Sequence, residues 1–111
     1  MSSAAPRRGD IVTISLKGDY GKPGPALILQ SDAFDRLPSV TVLPFSSFLI
    51  PAPLYRVTVH PSEANRLQKV SQIMVDKAVT VPRAKLGARI GSVEASTLKL
   101  VTEAFRDFFD L

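Results

Sequence analysis

Almost everywhere the chain is cut into short pieces. Ile11-Val12-Thr13-Ile14-Ser15-Leu16, Ala26-Leu27-Ile28-Leu29-Gln30, Val40-Thr41-Val42-Leu43 and Leu54-Tyr55-Arg56-Val57-Thr58-Val59-His60 are apolar or alternating runs of four to seven residues, closed by glycine, proline or a Ser-Asp pair. β-Branched residues at a period of two between turn formers specify short strands. The run from Ala26 is apolar throughout, which predicts a strand buried on both faces. The strand from Val40 is expected to end at Pro44, with Ser46 and Ser47 just beyond it. Ser62 to Arg66 reads as one helical turn or a reverse turn, and Leu67 to Val81 as one or two further strands around Asp76-Lys77, ended by Pro82.

The last stretch changes period. Leu98, Val101, Phe105, Phe108 and Phe109 recur at the three- and four-residue spacings of an amphipathic helix, with Ser96 placed to cap it. Five or six short strands followed by one helix predict a mainly β fold, a strongly bent antiparallel sheet or small, partly open barrel with the helix packed on it. At 111 residues there is room for one core and one domain. Residues 1–8 read as a flexible arm and 9–111 as the domain. No run approaches the eighteen or so apolar residues of a membrane span, and the N-terminus lacks the apolar core of a secretory signal. A membrane partner is therefore not expected.

The absence of cysteine removes disulfide scaffolds, thiolate metal sites and cysteine nucleophiles, and it suits a reducing cytoplasm. A single histidine, His60, removes multi-histidine metal centres. Fourteen Lys/Arg against ten Asp/Glu give a net charge of +4, carried by residues 1–93, while the tail is acidic. Such a field favours a polyanion or an acidic protein partner. The run Lys77, Arg83, Lys85 and Arg89, with no acidic residue between Lys77 and Glu94, is the candidate track for a nucleic-acid backbone; its plainer reading is a solvated face. The loop from Lys17 to Pro25 carries Lys17 and Lys22 among three glycines and two prolines.

Several stretches in order resemble one family: Arg8-Gly9-Asp10-Ile11-Val12, Gly24-Pro25-Ala26-Leu27-Ile28-Leu29, Pro44-Phe45-Ser46-Ser47, and Gln72-Ile73-Met74-Val75-Asp76-Lys77. The chain resembles the MazF/PemK-type toxins of bacterial toxin–antitoxin pairs over about residues 7–111. The resemblance implies an SH3-like small barrel of five to seven strands with a C-terminal helix. It also implies a homodimer, cleavage of single-stranded RNA without a metal or other cofactor, and a cognate antitoxin that blocks the RNA groove. In that family an arginine before the proline acts on the scissile phosphate, and here Gly24 holds its place. Lys22 is the nearest replacement and Lys17 the next. Ser46 keeps the hydroxyl of a family threonine. Asp76 matches an acidic residue, and Met74 replaces an arginine two positions before it.

Metal-free cleavage needs a base for the 2′-OH, a donor or cation for the phosphate oxygens and an acid for the leaving oxygen. The resemblance assigns Lys22 and Ser46 to the phosphate and Asp76 to the base or a positioning role, with Lys17, Ser47, Lys77, Arg83 and Lys85 as RNA contacts. The plainer readings are that Ser46 and Ser47 cap a turn, that Asp76-Lys77 is a surface turn, and that His60 ends a strand. A second functional reading comes from the CcdB family, which shares the barrel and binds DNA gyrase through C-terminal residues; Leu29-Gln30-Ser31-Asp32 and Leu43-Pro44 resemble it, but the chain has no tryptophan in its tail.

Overall fold

The structure, a computed structural model, describes residues 5–15 and 23–111. Seven strands and one helix follow in order: β1 (Asp10–Ile14), β2 (Gly24–Ile28), β3 (Ser39–Ser46), β4 (Arg56–Val59), β5 (Ser71–Met74), β6 (Val79–Pro82), β7 (Leu86–Ser92) and α1 (Ala95–Phe108). All pairings are antiparallel, in the order β4-β5-β3-β2-β1-β7, with β6 also on β3.

β3 organises the sheet. It pairs with β2 on one edge; on the other it takes β6 through Val42↔Val79 and then β5 from Phe45↔Ile73. The strand runs through Pro44, past the expected end. Pro44 falls in the gap between those two ladders, the kind of irregularity at which a residue without an N–H is tolerated inside a sheet. Between β5 and β6 the chain makes a single 3-10 turn, Val75–Lys77.

Successive side chains on a strand point to opposite faces, and here both faces are buried. Ile11, Leu27, Leu43, Phe45 and Ile73 join one cluster with Val101 of the helix. Val12, Ile14, Ala26, Ile28, Val40, Val42 and Val81 form a second on the other face. The two-sided burial expected of the strand from Ala26 is thus observed, and it explains why Ala26 to Leu29 are all apolar. Shifting its register by one residue would exchange the two sets of side chains between clusters of different shape.

The helix buries Val101 completely and packs Leu98, Ala104 and Phe105 against the first cluster. Phe108 and Phe109 stay nearly half exposed and stack with Phe105 and Tyr55. Ser96 is not the cap. The helix begins two residues earlier than that cap implies, at Ala95, with Glu94 at the cap position and no side-chain cap hydrogen bond. The Glu94 carboxylate instead accepts a 2.6 Å hydrogen bond from the Ser62 hydroxyl, which holds its pKa below the ordinary carboxylate value.

β7 is a strand the sequence reading does not contain, since its two glycines and lack of alternation hide it. It forms because β1 needs a second partner and glycine permits close approach. At Gly91 a Cβ would collide with the carbonyl oxygen of Ala64. The N-terminal arm also ends sooner than expected. Arg8 donates to Leu29 O and to Thr102 Oγ1 of the helix, and Arg7 pairs with Asp32 at 3.0 Å, so residues 7 and 8 are tied to the body.

The segment 60–67, which includes the turn expected at Ser62 to Arg66, is nailed down by one buried side chain. Asn65 Oδ1 accepts from Ser62 N (2.9 Å) and Leu67 N (3.0 Å), and Asn65 Nδ2 donates to His60 O (2.9 Å). Replacing Asn65 by alanine would strand these groups, so Asn65→Ala is expected to cost about 2–3 kcal/mol in chemical denaturation. A loss below about 0.5 kcal/mol would mean that water replaces the amide freely.

Candidate active-site cleft

Ser46 ends β3 and its backbone pairs with Gln72 of β5. Its hydroxyl closes a tight turn, accepting the Phe48 N–H at 3.1 Å and lying 3.3 Å from the Phe48 carbonyl. The turn-cap reading is therefore true of Ser46. It is compatible with a further role, because the hydroxyl proton goes to a partner at the long end of hydrogen-bond distance and has a competitor's place open to it. The turn is supported from below by Gln72, whose side-chain amide accepts from Ile50 N (3.0 Å) and donates to Ile50 O (2.9 Å).

Ser46 opens onto a cleft of about 400 Å³ walled by Gly24, Pro25, Phe45, Met74, Lys77 and Val79. Three separate parts of the fold meet here: the start of β2, the end of β3, and the turn between β5 and β6. Lys77 is exposed and supplies the positive charge among the described lining residues. A second cleft, of about 480 Å³, shares the Pro25 and Phe45 walls and contains Ser47, Arg66, Gln68 and Lys69. Lys17 and Lys22 lie outside the described residues. Among the described residues no group of three His, Asp or Glu side chains comes together in a way that could hold a metal ion.

Asp76 is brought close to this site but turned away from it. Arg56 on β4, whose backbone stands in register with Met74, grips Asp76 with a fork: Nε to Oδ1 at 2.8 Å and Nη2 to Oδ2 at 3.1 Å. Both side chains are largely buried, at 10% and 17% exposure. The Arg56 hydrogen bonds, opposed by burial, hold the Asp76 pKa below the ordinary carboxylate value. A carboxylate so engaged is a weak base. The pair clamps the turn that presents Lys77.

Arg83 is held away from both clefts. Its Nε donates to Leu37 O at 2.6 Å and its Nη2 to Phe34 O at 3.2 Å, binding the end of β6 to the 32–38 segment. Its Nη1 is buried. A guanidinium spent on carbonyls is not free to track a backbone, and Arg83 lines neither cleft above. Lys85 is exposed but lines neither, and Arg89 pairs with Asp10 at 3.2 Å. The basic run thus divides, with Lys77 at the cleft and the others elsewhere. The sequence reading missed Arg56, whose partner is twenty residues away, and the basic pair Arg66 and Lys69, which it divided between a turn and a strand that in fact starts at Ser71.

Residues 7–109 match the family of PemK-like, MazF-like toxins of type II toxin–antitoxin systems. The chain belongs to that family. The probable endoribonuclease MazF of Mycolicibacterium smegmatis is 42% identical over 106 residues, which make up 95% of this chain and 97% of that protein. Among solved structures, the Mycobacterium tuberculosis toxin MazF-mt6 superposes with a TM-score of 0.79 at 30% identity, covering 92% of this chain and 97% of that one. An endoribonuclease from a mycobacterial species, solved in complex with its cognate antitoxin, superposes with a TM-score of 0.81 at 20% identity over 96% and 97% of the two chains, a likeness of fold.

The clamp makes a prediction about acid. Because the Asp76 pKa is lowered on folding, the pair contributes fully above the unfolded value of about 4 and its contribution is lost as pH falls through the lower folded value. Asp76→Asn leaves Arg56 buried without its counter-charge and is expected to cost about 2–3 kcal/mol at pH 7. Its stability should fall less steeply than that of the wild type below pH 4, as read by urea midpoints across pH. Parallel acid limbs would show that the clamp carries no linkage.

Proposed function

We propose that this chain is the toxin of a toxin–antitoxin pair and a metal-independent, sequence-specific endoribonuclease acting on single-stranded RNA in the cytoplasm. What carries the reading is the cleft in which Ser46 and Lys77 face the start of β2, in a chain of this family. The RNA 2′-oxygen attacks the adjacent phosphorus and the bond to the 5′-oxygen breaks, leaving a cyclic phosphate and a 5′-OH. The 2′-OH gives up a proton and the 5′-oxygen gains one. Lys77 and the Ser46 hydroxyl stabilise charge on the non-bridging oxygens, and Lys22, two residues before Gly24, supplies the charge that the family arginine would bring. A lysine is a point charge where arginine is a planar fork, so the grip on phosphate is weaker. Lys17 and Ser47 extend the RNA contacts.

The cognate antitoxin would act by covering the same cleft. A homodimer is supported by exposed apolar side chains, with Phe48 77% and Leu54 82% exposed and Leu49 and Leu100 half open. Apolar exposure on this scale marks an association face. Sedimentation is expected to give twice the 12.0 kDa chain mass, and a monomer at micromolar concentration would contradict the dimer. The gyrase-binding alternative has less support, since the 42% identical relative is named as a probable endoribonuclease.

The test is incubation with a long single-stranded RNA in EDTA, with cleavage ends mapped. Cleavage is expected at a recurrent short sequence. Ser46→Ala should lower kcat by about 10²-fold, and Lys77→Ala and Lys22→Ala by about 10-fold or more. Intact RNA would overturn the nuclease reading; cleavage undiminished in all three variants would move the chemistry out of this cleft.

A further inference from the structure

We infer that Gln72 is a positioning residue for the reaction: its side-chain amide sets the place of the Ser46 hydroxyl from behind, through the turn 46–50. The inference rests on the nuclease reading. Gln72 is 6% exposed and lines neither cleft, opening instead onto a separate groove with Ile50, Pro51, Thr58 and Leu100. A side chain so placed does not meet RNA at Ser46, and what it does there passes through the turn. Both ends of the turn hang on it. Its backbone stands opposite Ser46 in the β3–β5 ladder, while its Oε1 accepts from Ile50 N at 3.0 Å and its Nε2 donates to Ile50 O at 2.9 Å. The amide tip, acceptor on one side and donor on the other, offers Ile50 what a neighbouring strand would offer it.

The turn has little else to hold it, for Ser47, Phe48 and Leu49 are all exposed. Within it the Ser46 hydroxyl accepts the Phe48 N–H at 3.1 Å and lies 3.3 Å from the Phe48 carbonyl. That spacing governs what the hydroxyl can do. While the N–H occupies a lone pair and the carbonyl stays at the long end of hydrogen-bond distance, the single hydroxyl proton is free to go to a phosphate oxygen. A turn that relaxes toward the hydroxyl gives that proton to the carbonyl instead. Ile50 is the fixed point two residues past Phe48. Gln72 Oε1 is the partner of its N–H, whereas its carbonyl also takes the Ala52 N–H at 3.0 Å. Gln72 Nε2 is aligned in turn by Thr58 Oγ1 at 3.3 Å. A donor aimed at developing charge must be held to within about 0.5 Å, and a misplacement of about 1 Å costs about 10²-fold in rate.

The experiment is a double-mutant cycle on the full chain, with an RNA that the wild type cleaves. Gln72→Met keeps the length of the side chain and removes its hydrogen bonds. Assayed well below its melting temperature, this variant should lose about 10-fold or more in kcat with KM changed less than about twofold. In the Ser46→Ala background the same substitution should cost nothing further, because a residue that acts through the hydroxyl has nothing left to position. Hydrogen exchange on the wild type needs no variant, and the Ile50 amide should be protected. An unchanged kcat in Gln72→Met, a change in KM alone, or an equal loss with and without the Ser46 hydroxyl would overturn the inference and leave the nuclease reading standing. So would an Ile50 amide that exchanges like that of an unstructured chain, the result that decides the matter if Gln72→Met does not fold. RNA left whole by the wild type, or cut undiminished by Ser46→Ala, would overturn the reading beneath it as well.

Discussion

The handover along one edge of β3 shapes the rest of the molecule. β2 covers the other edge, but β6 accompanies β3 only as far as Val42 and β5 takes over at Phe45. A chain that serves as both neighbours must turn between them, and the turn is Val75–Lys77. Because the handover comes just before Ser46, the turn and the strand end arrive at the same place. The cleft exists because the β6 and β5 ladders are not continuous there, and Pro44, opposite Ala26 on the β2 edge, falls in the gap between them on the other.

A paired and an unpaired cation then divide the labour among the described residues. Arg56 and Asp76, largely buried and joined by a fork, spend their charges on each other and fix the turn. Lys77, the next residue, stays exposed and keeps its charge for the cleft. The same logic separates Arg83, whose donors are consumed by the Leu37 and Phe34 carbonyls, from Arg66 and Lys69, whose heads line open space. Positive charge in the sequence is a poor guide to binding until the internal hydrogen bonds have been subtracted.

What could be read from the sequence was local. Strands β1, β3 and β4 and the helix announce themselves by the pattern of the faces they bury, and β2 by an unbroken apolar run. β7 does not, because its glycines are chosen for close approach to Thr13 and to Ala64 rather than for strand propensity. Ser46 was legible only through resemblance; its own neighbours describe a turn cap, which it also is. Asp76 was legible as a position but not as a state, since its partner lies on another strand in a register that no local pattern encodes. Arg66 escaped notice for a similar reason. Its exposed place depends on Asn65 and Gly91 meeting across the fold.

The central proposal is that RNA lies along the seam of Pro25 and Phe45, past Lys77 and Ser46. The most direct measurement is an NMR titration of the labelled protein with an uncleavable 2′-O-methyl oligonucleotide of the cleaved sequence. The account predicts amide shifts concentrated at Gly24, Phe45 to Ser47 and Lys77, with the Arg83–Lys85 turn and Leu111 unmoved. Shifts confined to the Arg83–Lys85 turn or to the end of the helix, with the seam silent, would contradict it.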